Sequence, residues 1–130
     1  MFLDYDRYTS IGYVLGGREY PFLDCWGFVV DVYKQNGINL NLHTELKGTE
    51  IKEGYTQDVN DFVEIEKPVE NCIVGLFTHG IIFHCGIYHQ GKFCHMDKQG
   101  FQIESFERYF IKKKCEVRYY VIKRGSSCKN

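Results

Sequence analysis

The second half of the chain places the strongest constraint on the fold, because after Val69 the sequence changes to short β-type segments separated by glycine-bearing turns. Strands that follow one another through such short turns pair in antiparallel fashion. The last segment is the longest and is rich in Val, Tyr and Ile. The predicted strands are Cys72–Phe77, Ile81–Tyr88, Lys92–Asp97, Phe101–Ser105 and Cys115–Lys123. The sequence therefore predicts an antiparallel sheet of about five strands.

An amphipathic helix is predicted ahead of this sheet, from Cys25 to about Asn36. Asp24 is the expected N-cap, and Gly37 stands where a left-handed C-terminal residue is usual. One side of the helical period is apolar and carries Phe28, Val29, Val32 and Tyr33. An apolar helix face must be covered, so the helix should pack on the sheet, which makes the fold α+β.

The remaining segments carry weaker signals. Residues 1–11 should form a short helix or arm, and the glycines and proline of residues 12–21 predict a loop that leads into the Cys25 helix. Residues 37–68 are polar and weakly periodic, which indicates an irregular connection with one short helix around Asp58–Phe62. The apolar face of the N-terminal segment is formed by Tyr5, Tyr8 and Ile11.

Length and composition exclude several classes of protein. A chain of 130 residues fits a single domain, residues 1–130, and its 44% hydrophobic content is typical of globular proteins. The net charge of −1 gives no electrostatic reason to expect nucleic acid or an anionic membrane as partner. No apolar run approaches the ~20 residues of a membrane span. Acids at Asp4 and Asp6 do not fit a signal peptide, so we expect synthesis in the cytoplasm and any export by a non-classical route.

Six cysteines are many for this length, and without a secretory signal we expect reduced thiols. The pairs His84-Cys85 and Cys94-His95 raise the question of a metal. Adjacent residues on a strand point to opposite faces, so neither pair can chelate as a unit, and no C-x₂-C pair exists. The sequence therefore predicts neither a metal site nor a cofactor.

Cys25 is the first candidate for chemistry, because it falls on the first turn of the predicted helix. The unpaired N–H groups and the positive end of the helix dipole favour an anion there, and a thiolate is the nucleophilic form of cysteine. The alternative is that Cys25 is a small buried hydrophobic residue. Which side chains lie beside Cys25 in the fold distinguishes a nucleophile from a buried hydrophobic residue.

Two histidines are expected to lie side by side on the predicted hairpin of residues 81–97. If the loop is His89-Gln90, His84 stands directly opposite His95; if the loop is Gln90-Gly91, His84 faces Asp97 and His95 is one diagonal step away. In both registers the two imidazoles share a face, which should also carry Ile82, Gly86 and Tyr88. A nucleophile, a base and an orienting group need this kind of line. Taken alone, each histidine is more often a satisfied, partly buried imidazole.

Four blocks of sequence resemble the NlpC/P60 family of papain-like cysteine peptidases. The family pattern reads approximately P-Y-x-x-G-G, then D-C-[SWY]-G-[LF]-V, then H-V-G-I-Y, then G-K-x-[IL]-H. The blocks occur here in the same order, over residues 12 to about 123. The matching segments are Gly12–Gly17, Leu23–Val29, Phe83–Tyr88 and Gly91–His95. The D-C-W-G block is most similar to the phage tail-tip branch.

The resemblance implies a papain-like fold and a set of site residues. It implies Cys25 as nucleophile, His84 as general base and then acid, and His95 as the group that orients His84. Tyr13 matches the family tyrosine that lines the site, and Trp26, which follows the nucleophile where many members have serine, should flank the substrate cleft. The spacing between His84 and His95 is one residue shorter than is usual.

The resemblance also implies a function. The expected activity is that of a cysteine peptidase or amidase that hydrolyses an amide bond in peptidoglycan stem peptides, of the γ-D-glutamyl–diamino acid type, through a thioester. We expect the protein to be phage- or prophage-associated, with tail-tip proteins as further partners and the virion as a possible location. Two alternatives remain open: a tail assembly subunit with a vestigial site, and a toxin-like deamidase or acyltransferase that uses the same three residues.

Overall fold

The computed structural model describes residues 2–40, 62–112 and 115–122. The helices of this part are α1 (Tyr5–Thr9), α2 (Cys25–Gln35) and α3 (Phe106–Lys112). The strands are β1 (Arg18–Glu19), β2 (Phe22–Leu23), β3 (Phe62–Ile65), β4 (Ile73–Thr78), β5 (Ile81–His89), β6 (Lys92–Asp97), β7 (Gly100–Ser105) and β8 (Glu116–Ile122). None of the helices described is long and apolar enough to cross a membrane.

Six of the strands form one sheet in the order β3-β8-β4-β5-β6-β7, and every neighbouring pair is antiparallel. One face of the sheet carries the larger apolar cluster, in which Ile87 and Met96 pack with the buried side of α2. The other face carries a smaller cluster, in which Val74 and Phe93 pack with Phe106 of α3. The sheet thus lies between helices on both faces, and the predicted α+β fold is confirmed.

The five predicted strands are present as β4 to β8, each with ends within one residue of the prediction. The sheet has a sixth strand, β3, within residues 37–68, where the sequence indicates an irregular connection. The helix expected around Asp58–Phe62 lies outside the described residues, except that Phe62 begins β3. β3 has only four residues and pairs with β8 at the sheet edge, so a partner distant in sequence makes it a strand.

The order of strands in the sheet departs from their order in the chain at β8. β8 does not lie beside β7 but between β3 and β4. The intervening α3, for which the sequence gives no prediction, contacts β6 and β7. The chain therefore crosses the sheet before its last strand. This crossing covers the second face, on which His95 lies close to Tyr109 of α3.

Helix α2 begins and ends at the residues that the sequence indicated. The carboxylate of Asp24 accepts a hydrogen bond from the Gly27 N–H at 2.8 Å, as an N-cap does. Gly37 adopts a φ of +82°, the left-handed conformation that ends a helix. The eight residues from 26 to 33 are all buried. Burial of each large apolar side chain contributes roughly 1.5–3 kcal/mol, so packing holds this helix in place.

A backbone contact fixes the β1–β2 ribbon against the start of α2. A Cβ on Gly27 would lie 2.2 Å from the carbonyl oxygen of Gly17, so only glycine allows the two backbones to come this close. The same Gly17 oxygen accepts a hydrogen bond from the Asp24 N–H at 3.0 Å. Beside the Tyr13 position, the Val14 N–H donates to the Leu23 oxygen at 2.9 Å. The loop that carries Tyr13 is thereby held beside Cys25.

Candidate active site

Cys25 is the first residue of α2 and is half-buried at the floor of a small cavity of about 70 Å³. The walls of this cavity come from the loop before α2 and from β5. They are formed by Tyr13, Leu15, Asp24, Ile82, Phe83, His84 and Cys85. The thiol is therefore reachable from solvent and lies at a helix N-terminus, as the sequence predicted.

The β5–β6 hairpin brings the two predicted histidines together. Its two-residue loop is Gln90-Gly91, where both residues have positive φ, 51° and 77°, as a type I′ turn requires. This is the second of the two registers considered from the sequence. The Nε2 atom of His84 lies 2.7 Å from the Nδ1 atom of His95, so the predicted neighbourhood of the two rings is confirmed.

A β-bulge at Phe83 lets His84 reach two partners. The pairing of β4 with β5 shifts there, with Leu76 opposite His84 but Phe77 opposite Ile82. A bulge re-aims the side chains beside it. His84 lines the cavity of Cys25, where it lowers the pKa of the thiol, and its Nε2 atom also reaches His95. The same shift places Ile82 in the apolar cluster under α2, so the expectation that Ile82 shares the face of His84 is wrong.

The thiol of Cys85 has the largest effect on the pKa of Cys25. The pKa of Cys25 is lowered to about 5, first by a hydrogen bond from Cys85 and then by His84, against the opposing effects of burial and the Asp24 carboxylate. Cys85 is fully buried, and burial raises its own pKa well above the usual value. Cys85 therefore stays protonated at neutral pH and donates to a Cys25 thiolate.

His95 is fully enclosed and neutral. Its ring stacks on Phe93 at 4.4 Å between centroids, and Tyr109 covers it from α3 at 5.2 Å. Burial and the charge of His84 lower the pKa of His95 to about 4. Its Nε2 atom lies 2.9 Å from the Oε2 atom of Glu104.

Sequence reasoning missed two residues of this site, Cys85 and Glu104. Cys85 was expected to point away from the histidines, and it does, but that side of β5 is the one that faces Cys25. Glu104 could have been found by the hairpin arithmetic, because β6–β7 pairing sets His95 opposite Gln102 and leaves Glu104 one diagonal step away.

Of the two predicted substrate-side residues, the structure brings one to the cavity. Tyr13 is half-buried and lines the cavity with Cys25; burial first, and then the charge of Cys25, raise its pKa. Trp26 has 0% exposure and packs edge-on against Phe62 in the core. The expectation that Trp26 flanks the cleft is wrong, because one residue along a helix turns the side chain by roughly 100°.

A comparison with known protein families gives a match to the model of the NlpC/P60 family over residues 11–119. The chain belongs to the NlpC/P60 family. The matched range includes Tyr13, Cys25, His84, His95 and Glu104. Neither a search of curated proteins nor a search of solved structures gives a significant match. Proteins of the NlpC/P60 family are generally cysteine peptidases or amidases that act on the cell wall.

In this NlpC/P60 domain, two larger cavities adjoin the one at Cys25, and we call the three together the furrow. The second cavity, of about 260 Å³, shares Tyr13, Phe83 and His84 with the first and adds Asp97, Lys98 and Tyr109. The third, of about 660 Å³, continues past Lys98 to Arg108 on α3. The furrow thus leads from the thiol past the histidines and carries both cationic and anionic side chains.

No group of three or more His, Cys, Asp or Glu side chains within the described residues is arranged to hold a metal ion. The chemistry that the NlpC/P60 site can support on its own residues is nucleophilic attack by a thiolate with proton transfer through an imidazole.

Proposed function

We propose that this NlpC/P60 domain hydrolyses an amide bond in peptidoglycan stem peptides, between D-glutamate and a diamino acid, through a thioester on Cys25. The observation that carries the proposal is that His84 lines the Cys25 cavity while its Nε2 atom lies 2.7 Å from the Nδ1 atom of His95. A cysteine that only fills space in the core has no need of a pKa as low as about 5.

In the acylation step, the Cys25 thiolate attacks the scissile carbonyl carbon and forms the carbon–sulfur bond. His84 transfers a proton to the leaving nitrogen as the carbon–nitrogen bond breaks. In the second step His84 takes a proton from water, the hydroxide attacks the thioester, and the carbon–sulfur bond breaks. The products are a free carboxylate, a free amine and the regenerated thiolate.

The oxyanion that forms in each step needs donors that are already in place. The backbone N–H of Cys25 lies in the first turn of α2 and is one such donor. The Tyr13 hydroxyl is the second in our proposal, because the ring lines both the small cavity and the one next to it.

The charges of the furrow support a zwitterionic peptide as substrate. Lys98 and Arg108 offer cations to carboxylates, and Asp97 offers a partner to an amine. Stem peptides with D-glutamate and a diamino acid carry both kinds of group.

The test is digestion of a defined stem peptide, followed by mass spectrometry of the products, with Cys25→Ser as the inactive control. Cleavage into two fragments that together gain one water molecule is the expected result. An α-linked isomer of the same peptide should be cleaved much more slowly if the γ-D-glutamyl linkage is recognised.

Other outcomes would replace the proposal. A mass gain of about one dalton without cleavage, as one amide becomes an acid, would identify a deamidase, and a product joined to an added amine would identify a transferase. A wild-type protein that leaves every peptide intact would favour an assembly subunit.

We also propose that the protein is phage- or prophage-associated, on the resemblance of its D-C-W-G block to the tail-tip branch. Tail genes on both sides of the coding sequence are the expected finding. Their absence in complete genomes would contradict the association and would leave the hydrolase proposal untouched.

A further inference from the structure

The hydrogen-bonded line at the site does not stop at His95 but continues to a carboxylate. Glu104 Oε2 lies 2.9 Å from His95 Nε2, on the side of the ring away from His84. The His95 side chain is fully buried, whereas that of Glu104 is 38% exposed. A partly exposed carboxylate thus holds the innermost ring of the site from outside.

The direction of each hydrogen bond follows from the chemistry of the groups. A neutral imidazole has one N–H and one acceptor nitrogen, and a carboxylate only accepts. The N–H of His95 must therefore lie on Nε2 and donate to Glu104, which leaves Nδ1 as an acceptor. The Nε2–H of His84 donates to that acceptor, and Nδ1 of His84 remains for the proton that Cys25 gives up.

We propose that Glu104 is a positioning residue that holds His95 in the Nε2–H tautomer and thereby sets the direction of proton transfer between Cys25 and His84. Without Glu104, His95 can carry its proton on Nδ1, and an N–H would then face the N–H of His84. His84 would then have to offer Nε2 to His95 as the acceptor and carry its own proton on Nδ1, so Nδ1 could no longer accept the proton of Cys25. The catalytic contribution rests on the proposed function; the tautomer does not.

A second carboxylate near His95, that of Asp97, makes it possible to separate the effect of the Glu104 hydrogen bond from the effect of a nearby negative charge. The charge of Asp97 also acts on His95, but an oxygen of Asp97 accepts from the Gln99 N–H at 2.8 Å in the β6–β7 turn. Asp97→Asn removes a charge near His95 and keeps an oxygen, whereas Glu104→Leu removes the acceptor itself. The two variants therefore separate charge from hydrogen bonding.

The first measurement is the ¹⁵N NMR shift of the ring nitrogens in protein labelled at histidine, which distinguishes N–H from bare nitrogen. Wild type and Asp97→Asn should show His95 protonated on Nε2. Glu104→Leu should show His95 shifted, wholly or in part, to Nδ1–H. An unchanged tautomer in folded Glu104→Leu would overturn the proposal, and so would an equal shift in Asp97→Asn.

The second measurement is turnover of a cleavable stem peptide. Glu104→Leu should lower kcat by ~10–100-fold with little change in KM, by analogy with the loss seen when the carboxylate behind a metal-bound histidine is removed. Glu104→Gln keeps an oxygen acceptor and should retain a larger share of the activity than Glu104→Leu. Glu107→Leu, an exposed neighbour on α3, should behave as wild type. Equal losses for Glu104→Gln and Glu104→Leu would contradict the proposal.

The two measurements fail separately. If wild-type protein cleaves no stem peptide, the proposed function is wrong, but the tautomer of His95 still decides the role of Glu104. If peptides are cleaved and the tautomer is indifferent to Glu104, only the positioning role is lost.

Discussion

At Cys25 the group that lowers the thiol pKa most is a second thiol, that of Cys85, ahead of His84. A neutral donor can stabilise a thiolate in a buried place without the desolvation that a second charge would bring. The other cysteines with shifted pKa values move upward: burial raises those of Cys72 and Cys94 to about 11. The structure therefore separates one reactive thiol from its neighbours.

We expect iodoacetamide at about pH 6 to label Cys25 before the other cysteines, because only a thiol with a pKa near 5 is largely ionised there. The labelling rate should fall as the pH drops through about 5, where the thiolate gains a proton, and should level off above it. Peptide mapping identifies the site, and Cys25→Ser is the blank. Faster labelling of Cys94 would contradict the assignment.

The role of Cys85 is tested by two variants of similar size. Cys85→Ala removes the donor, so the labelling midpoint of Cys25 should rise by about one pH unit or more, equivalent to ~1.4 kcal/mol per unit. Cys85→Ser keeps a donor and should hold the midpoint close to the wild-type value. A midpoint that does not move in Cys85→Ala would mean that His84 alone lowers the pKa.

Tyr13→Phe tests the proposed oxyanion donor. Loss of one such donor typically lowers kcat by ~10²–10³, roughly 3–4 kcal/mol, while stability should hardly change because Tyr13 is only half-buried. Tyr20→Phe is the matched control, since its hydroxyl donates to the Arg7 oxygen and neither residue lines the furrow. Full turnover by Tyr13→Phe on a cleavable peptide would remove Tyr13 from the site.

At the scale of elements, the hairpin that carries the histidines depends on one close approach. A Cβ on Gly86 would lie 2.6 Å from the Cys94 oxygen and 2.9 Å from the His95 Cβ. Gly86 stands across β5–β6 from His95, so any larger residue there would displace the Cys94 backbone or the His95 side chain. The glycine thus allows the 2.7 Å contact between the rings.

Gly86→Ala should accordingly reduce both stability and turnover. Overpacking of this kind typically lowers stability by ~1–3 kcal/mol, and a displaced His95 should lower kcat beyond what the unfolded fraction explains. Chemical denaturation and kinetics on the same samples separate the two effects. Gly12→Ala, where nothing lies within 4 Å of the added carbon, should have little effect on stability. Normal activity in Gly86→Ala would show that the site tolerates the displacement.

At the scale of the whole molecule, Trp26 belongs to the core that joins α2 to the sheet. It is fully buried and lies 6.3 Å, centroid to centroid, from Phe62 of β3. Trp26→Ser would leave a cavity and a buried hydroxyl, so the free energy of unfolding should fall by ~3–5 kcal/mol. Urea denaturation measures it. Phe22→Ser, at a position 61% exposed, should change stability by less than ~0.5 kcal/mol. A stable Trp26→Ser protein with altered substrate choice would instead restore Trp26 to the cleft.

Local signals were sufficient for α2, for the five strands β4 to β8 and for part of the site. Asp24 and Gly37 mark the ends of α2 because capping and left-handed backbone are properties of single residues. The glycine-bearing turns separate β4, β5, β6 and β7 for the same reason. His84 and His95 are neighbours in either hairpin register, since the side-chain period of a strand is two, so their contact could be predicted before the turn was known.

Only the tertiary structure decided the rest, because it depends on contacts between segments far apart in sequence. The bulge at Phe83 arises where β4 meets β5, and it moves Ile82 to the other face. The burial of Trp26 depends on β3, and the position of β8 depends on the crossing over α3. Cys85 meets Cys25 only when α2 is packed on β5. A thiol becomes a thiolate through the groups that surround it, and those groups are assembled by the fold rather than by the sequence around Cys25.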